Sequence, residues 1–242
     1  ILEGCALTIY RTILHETIYR KMKLAICFYG QARQLETWHS NNKLLYEGCE
    51  YDHYIHMWGD KATEEKVNYL YSPVSYIVEP QADIPTDLDY PVNTKHITAS
   101  LFNTLSPLYS MYRLGTLIEK SSLDYDYWIL TRPDACAQGF KLRDVIGENN
   151  LYTSFVPGPE WLTSAVDTKF ICGTKEDILN LTGIYENLPK YCGIDKAPLC
   201  HHRLFYHVLK NRMSTASMIK GDHRHWSGGW SWVRDNNVLK LS

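Results

Sequence analysis

No stretch of the chain holds the roughly 18 consecutive apolar residues that a membrane-spanning helix needs. Nor is there an excess of positive charge. The formal net charge is −2, so no global basic field draws the protein to nucleic acid or anionic lipid. The seven cysteines include no C-x-x-C pair, which removes zinc ribbons and thioredoxin-type redox pairs from consideration. Their odd number and irregular spacing point away from a disulfide framework and toward a reducing compartment. No glycine-rich phosphate loop, H-E-x-x-H, heptad run, internal repeat or low-complexity block occurs. The first 21 residues lack an apolar core followed by a small-residue cleavage site, so no secretory signal is expected and a cytoplasmic location is the default. Met22 stands directly before a strong strand, KLAICFY. The reading is therefore an extension over 1–21, either upstream translation or a poorly packed helix, followed by one domain over 22–242.

What is present is a core. Hydrophobic residues make up 45% and charged residues 21%, the ordinary balance of a globular domain. Tyrosine and tryptophan are plentiful, with 18 and 7 copies, which suits both core packing and the stacking of ring-shaped ligands. From Lys23 to about Lys210 short apolar runs alternate with segments of helical period. Strands are expected at Lys23–Tyr29, Tyr51–Trp58, Val74–Val78, Asn150–Phe155 and Ala165–Cys172. Helices are expected at Leu35–Leu45, Glu64–Leu70, Ser106–Lys120, Lys175–Asn187 and Leu199–Lys210. Pro107 is placed in the first turn of the third helix, where a missing N–H costs nothing. This alternation predicts an α/β fold with a mostly parallel central sheet flanked by helices.

One stretch, YDYWILTRPDAC over Tyr125–Cys136, organises the rest. Its apolar centre reads as a buried strand of a parallel sheet, delivering Arg132 and Asp134 at its carboxyl end. Ligands of open α/β sheets bind beyond such ends. Pro133 cannot extend the ladder, which helps aim the residues beside it. An aspartate there can hold a divalent cation and an arginine can pair with phosphate, or the two can simply close the strand end as a salt bridge. Gly30, Gln31 and Arg33 follow the first strand. Glycine admits close approach of a ligand, and Arg33 can reach a phosphate or a base edge. Glu79 ends the third strand as a candidate acceptor for a ribose or base, and Arg113 lies on the third helix within reach of the strand ends. His56 is a candidate facing the ligand or a packed, hydrogen-bonded core histidine. His201, His202 and His207 share a helix, but adjacent histidines cannot share one face, so they are assigned to surface or core. In the tail, His223 or His225 can complete a metal shell or lie exposed.

Taken in order, KLAICFYGQAR, YDHYIHMWGD, SPLYSMYRLGTLIEK, DYDYWILTRPDA and AVDTKFICGTKEDI resemble small viral and phage glycosyltransferases of the GT-A fold, over about Lys23–Arg212. The resemblance implies a UDP- or GDP-linked sugar donor, a glycan or glycoprotein acceptor, and a divalent metal, manganese or magnesium. The D-x-D-like element of that family falls on Arg132-Pro133-Asp134, where arginine replaces the first aspartate. Asp134 is then the metal ligand, with Arg132 on the diphosphate. Gly30–Arg33 match the first nucleotide-contacting turn, and Asp167 the acceptor-side carboxylate, a general base if the reaction inverts. A non-catalytic nucleotide-sugar or carbohydrate-binding module on the same scaffold is the alternative, and another nucleotide-using enzyme is a third.

Overall fold

In β1 (Lys23–Gln31) successive side chains point to opposite sides, and both sides are apolar. Leu24, Ile26 and Phe28 pack into one core; Ala25, Cys27 and Tyr29 pack into another. A strand covered on both faces belongs in the middle of a sheet. It pairs in parallel with β2 (Glu50–Trp58) on one side and β4 (Tyr127–Thr131) on the other. β3 (Ser75–Glu79) extends the parallel part beyond β2. On the far side of β4 the sheet becomes mixed. β6 (Phe170–Gly173) runs antiparallel to β4 and to β5 (Tyr152–Ser154). β7 (Ser217–Ile219) is parallel to β5, and β8 (Val238–Lys240) antiparallel to β7. The eight strands stand in the order β3-β2-β1-β4-β6-β5-β7-β8. The protein is thus a mixed α/β fold, with the parallel pairings concentrated in β3-β2-β1-β4. The structure, a computed structural model, describes residues 21–33, 35–93, 100–133, 141–144, 146, 151–154, 170–211, 217–219 and 238–240.

Helices α1 (Leu35–Leu45) and α2 (Lys61–Tyr71) cover the face of Leu24, Ile26 and Phe28, through Leu35, Leu45, Val67 and Tyr71. The opposite face is covered by α3 (Leu101–Glu119), α4 (Lys175–Thr182) and α5 (His201–Leu209). Their starts follow from capping residues. The Asp60 side chain accepts from the Thr63 amide at 2.9 Å at the head of α2. Thr174 and Asp177 form a reciprocal capping box on α4. Among the described residues no helix is long and apolar enough to cross a membrane.

Helix boundaries differ from the sequence expectation: α2 begins at Lys61 and not Glu64, α4 ends at Thr182 and not Asn187, and the start of α3 moves upstream. α3 begins at Leu101, not Ser106, and Pro107 lies inside the helix. The reason is at the head of the helix: Ser100 accepts from the Asn103 amide at 3.2 Å, so nucleation occurs a full turn upstream of the proline. Leu105 and Thr104 are buried in that added turn, which offsets the one backbone bond that Pro107 forfeits.

At the base of the sheet, away from the carboxyl ends, a polar cluster closes the core. Tyr125 donates to Asp52 at 2.8 Å, and Lys175 donates to the Ser121 carbonyl at 2.8 Å. α3 and α4 approach closely at Gly115, where an added Cβ would meet Thr182 Oγ1 at 2.7 Å. Gly115→Ala should therefore lower the unfolding free energy by about 1–3 kcal/mol in urea titrations. Adding Thr182→Ala should recover most of that loss, since the two changes share one contact; additive losses would refute this packing account.

Candidate functional site

From β1 the chain passes outward to β2 and β3, then returns across α3 to β4 on the other side of β1. The strand order reverses between β1 and β4, and the carboxyl ends of those two strands flank the crevice in which open α/β sheets bind ligands. Phe28 pairs with Thr131, so Arg132 emerges about level with Tyr29. A cavity of 310 Å³ opens there, a size within the range of small-molecule sites. Gly30, Gln31 and Arg33 form one wall, and Arg132 and Pro133 the other. Trp58 at the end of β2 and Gln81 after β3 close one side. The first turns of α3, through Asn103, Ser106 and Pro107, close the top together with His201, the first residue of α5.

A buried hydrogen-bond chain supports this floor. The Gly30 amide donates to Ser110 Oγ at 2.8 Å. Ser110 and His56 Nδ1 are 2.6 Å apart, and His56 Nε2 lies 3.0 Å from Glu79 Oε1. The other Glu79 oxygen accepts from Arg113 at 3.0 Å. The partners assign the protons: the Ser110 hydroxyl donates to Nδ1, and Nε2–H donates to the carboxylate. His56 is fully buried, and that burial pushes its pKa down to about 4 despite the Glu79 carboxylate, so the ring is neutral. Gly30 has φ +111°, a left-handed conformation in which glycine escapes the Cβ penalty. Among the described residues no side chain or non-adjacent backbone atom lies within 4 Å of an added Cβ at Gly30, so backbone conformation is what favours glycine here.

Three further features of the cavity involve residues not expected at the site. Pro107 has no N–H, so the Asn103 carbonyl loses its helical donor where both residues line the cavity. Trp58 is 5% exposed, and among the described residues its indole Nε1 has no hydrogen-bond partner. His201 donates from Nε2 to the Thr104 carbonyl, which leaves Nδ1 as the unprotonated nitrogen of the neutral ring. Burial pushes its pKa down to about 4, with His202 and Arg132 adding repulsion. A signal for Trp58 existed, since it ends a strand beside Gly59-Asp60. For His201 there was none: its neighbours in sequence are unrelated to its neighbours in space.

Of the residues expected at the site, Gly30, Gln31, Arg33 and Arg132 come together around one cavity. The Arg33 guanidinium is tied to the Gln31 side-chain carbonyl, and Gln31 donates to Gln81 at 3.3 Å. Glu79 and Arg113 stand outside the cavity wall and pair with each other and with His56. His56 is the packed, hydrogen-bonded histidine of the two readings left open. Asp134, Asp167 and His223 lie outside the described residues. Among the described residues no group of three or more His, Cys, Asp or Glu side chains is placed to hold a metal. No protein-family model matches the chain, and no curated protein matches it significantly.

Two outcomes follow. Ser110→Ala strands the Gly30 amide and His56 Nδ1, and should cost about 1–3 kcal/mol of stability in urea unfolding. Amide shifts in the variant should centre on Gly30 and Gln31; shifts confined to α3 would contradict the chain. The second concerns pH. His53 is also buried and pushed down to about 4, below its usual value of about 6.5 when unfolded. A lowered histidine pKa means that the unfolded state binds more protons between those values. Stability is therefore complete above about pH 6.5 and falls as pH drops toward 4. The urea midpoint should decline across this window, and less steeply in His53→Gln; an unchanged slope would count against neutral burial.

Proposed function

We propose that the protein is a glycosyltransferase of GT-A type, moving a sugar from a nucleoside-diphosphate donor to a hydroxyl of a glycan or glycoprotein. The observation that carries this reading is the convergence of Gly30, Gln31 and Arg33 after β1 with Arg132 after β4 on one cavity at the switch point. Two guanidiniums facing one small cavity suit a diphosphate, because each can present paired N–H donors to phosphate oxygens. Glycosyl transfer breaks the bond between the sugar carbon and a phosphate oxygen, whose electron pair leaves with the nucleoside diphosphate. Cations fixed where that charge develops lower the barrier without reorganising at the moment of reaction. The left-handed turn at Gly30 lets the backbone approach the phosphates closely.

Asp167 is the proposed base: in an inverting reaction it takes the acceptor's proton, and in a retaining one it positions the acceptor. A divalent cation fits the family reading through Asp134 and His223. Both lie outside the described residues, so no step is routed through a metal. The replacement of the first family aspartate by Arg132 favours a second reading, a module that binds the donor without turning it over.

Incubation with a panel of nucleotide sugars and manganese, with and without glycan acceptors, distinguishes the two. Release of nucleoside diphosphate is expected, and Arg132→Ala should lower kcat by about 10²-fold or more. Arg33→Ala, on an exposed side chain, should chiefly raise KM for the donor. Donor binding without release under all acceptors would leave only the binding module.

A further inference from the structure

We propose that His201 is a third, proton-gated cation of the cavity: when a diphosphate enters beside Arg33 and Arg132, Nδ1 takes up a proton from solvent and bonds a phosphate oxygen. The inference rests on the anion-binding part of the proposed function. It starts from placement. His201 opens α5 and lines the same cavity as both arginines. The Thr104 carbonyl holds Nε2–H, which fixes the ring and leaves Nδ1 to receive the proton. Nδ1 makes no hydrogen bond among the described residues.

The electrostatics give the gate its sign. Without an anion beside it, burial and like charge oppose a proton on His201, and only the Thr104 carbonyl that accepts from Nε2 favours one. Burial is the largest cause, and His202 and Arg132 add repulsion; together they push the pKa down to about 4. The positive end of α5, whose capping residue Cys200 offers no side-chain bond, acts in the same direction. A bound diphosphate reverses this balance. Its charge neutralises the two guanidiniums and gives Nδ1–H an acceptor, so the pKa rises. The neutral ring avoids like-charge repulsion while the site is empty, and the imidazolium shares the ligand's charge once it is full. On release of the ligand the proton returns to solvent, so the step balances without a co-reactant. The linkage sign is definite. The extra affinity is complete below the free-state pKa and is lost as pH rises through the bound-state pKa.

Inorganic pyrophosphate is the probe, because it carries the diphosphate without sugar or base. Calorimetric titration at pH 5.5 in two buffers of different ionisation enthalpy reads proton uptake. Comparison with His201→Gln, which keeps a donor for the Thr104 carbonyl, cancels the proton exchange of pyrophosphate itself. The wild type should take up about one proton more than the variant. It should also bind roughly tenfold or more tightly at pH 5.5, with the two converging at pH 8. If the variant does not fold, the His201 imidazole C–H resonance of the wild type, titrated with and without pyrophosphate, gives the same answer through the rise in its pKa. Binding with equal uptake, or an unmoved resonance, overturns this inference and leaves the anion cavity standing. No binding at millimolar pyrophosphate removes the anion cavity, and with it both this inference and the proposed transfer reaction.

Discussion

Ser110 receives the Gly30 amide proton and passes its own to His56, whose second nitrogen donates to Glu79, which in turn holds Arg113. This chain crosses from β1 through α3 to β2 and the end of β3. It joins the carboxyl ends of neighbouring parallel strands to the helix that packs over them. Ser110 and His56 are fully buried, so their donors and acceptors must be matched or carry the full cost of desolvation, while Glu79 and Arg113 at the far end are partly exposed. That requirement leaves little freedom in where Gly30 sits. Because Gly30 begins the turn that bears Gln31 and Arg33, one wall of the cavity inherits the precision of the buried chain.

The other wall is set by sheet geometry. Thr131 is held by pairing with Phe28 in β1, and β6 pairs with β4 on its far side. Pro133, itself buried, then turns the chain off the ladder. Arg132 therefore leaves the sheet at a defined height, close to the level of Tyr29. The parallel half of the sheet supplies the crevice, and the antiparallel strands beyond β4 extend the layer that supports it. Both Arg33 and Arg132 line the cavity so framed.

Polar groups at this cavity divide into those that are satisfied and those that are not. Gln31, Gln81 and Ser106 bond one another along the rim, Gln81 donating to Ser106 at 2.6 Å. Among the described residues the indole N–H of Trp58 lacks a partner. Interiors seldom leave such groups without a reason. Trp58 shares the cavity lining with two arginines and a histidine held neutral.

Much of the scaffold could be read from residue order. KLAICFY and YWIL are apolar at every position, which is the mark of a strand covered on both faces, and Gly30 and Arg132 follow such runs at the ends where ligands gather. Helices α1, α2 and α4 were visible from their period. The start of α3 was not, because Pro107 is a strong local stop and only the capping by Ser100, together with the burial of Leu105, overrides it. Glu79 and Arg113 were recognised as polar groups near strand ends, yet their charges are directed to each other and to His56. The composition and periodicity of this chain determined a layered α/β core and the heights at which its loops emerge. Tertiary structure alone decided that His201, about 70 residues beyond Arg132, shares a cavity with it, since Coulomb forces and burial depend on distance in space and leave no periodic trace in sequence.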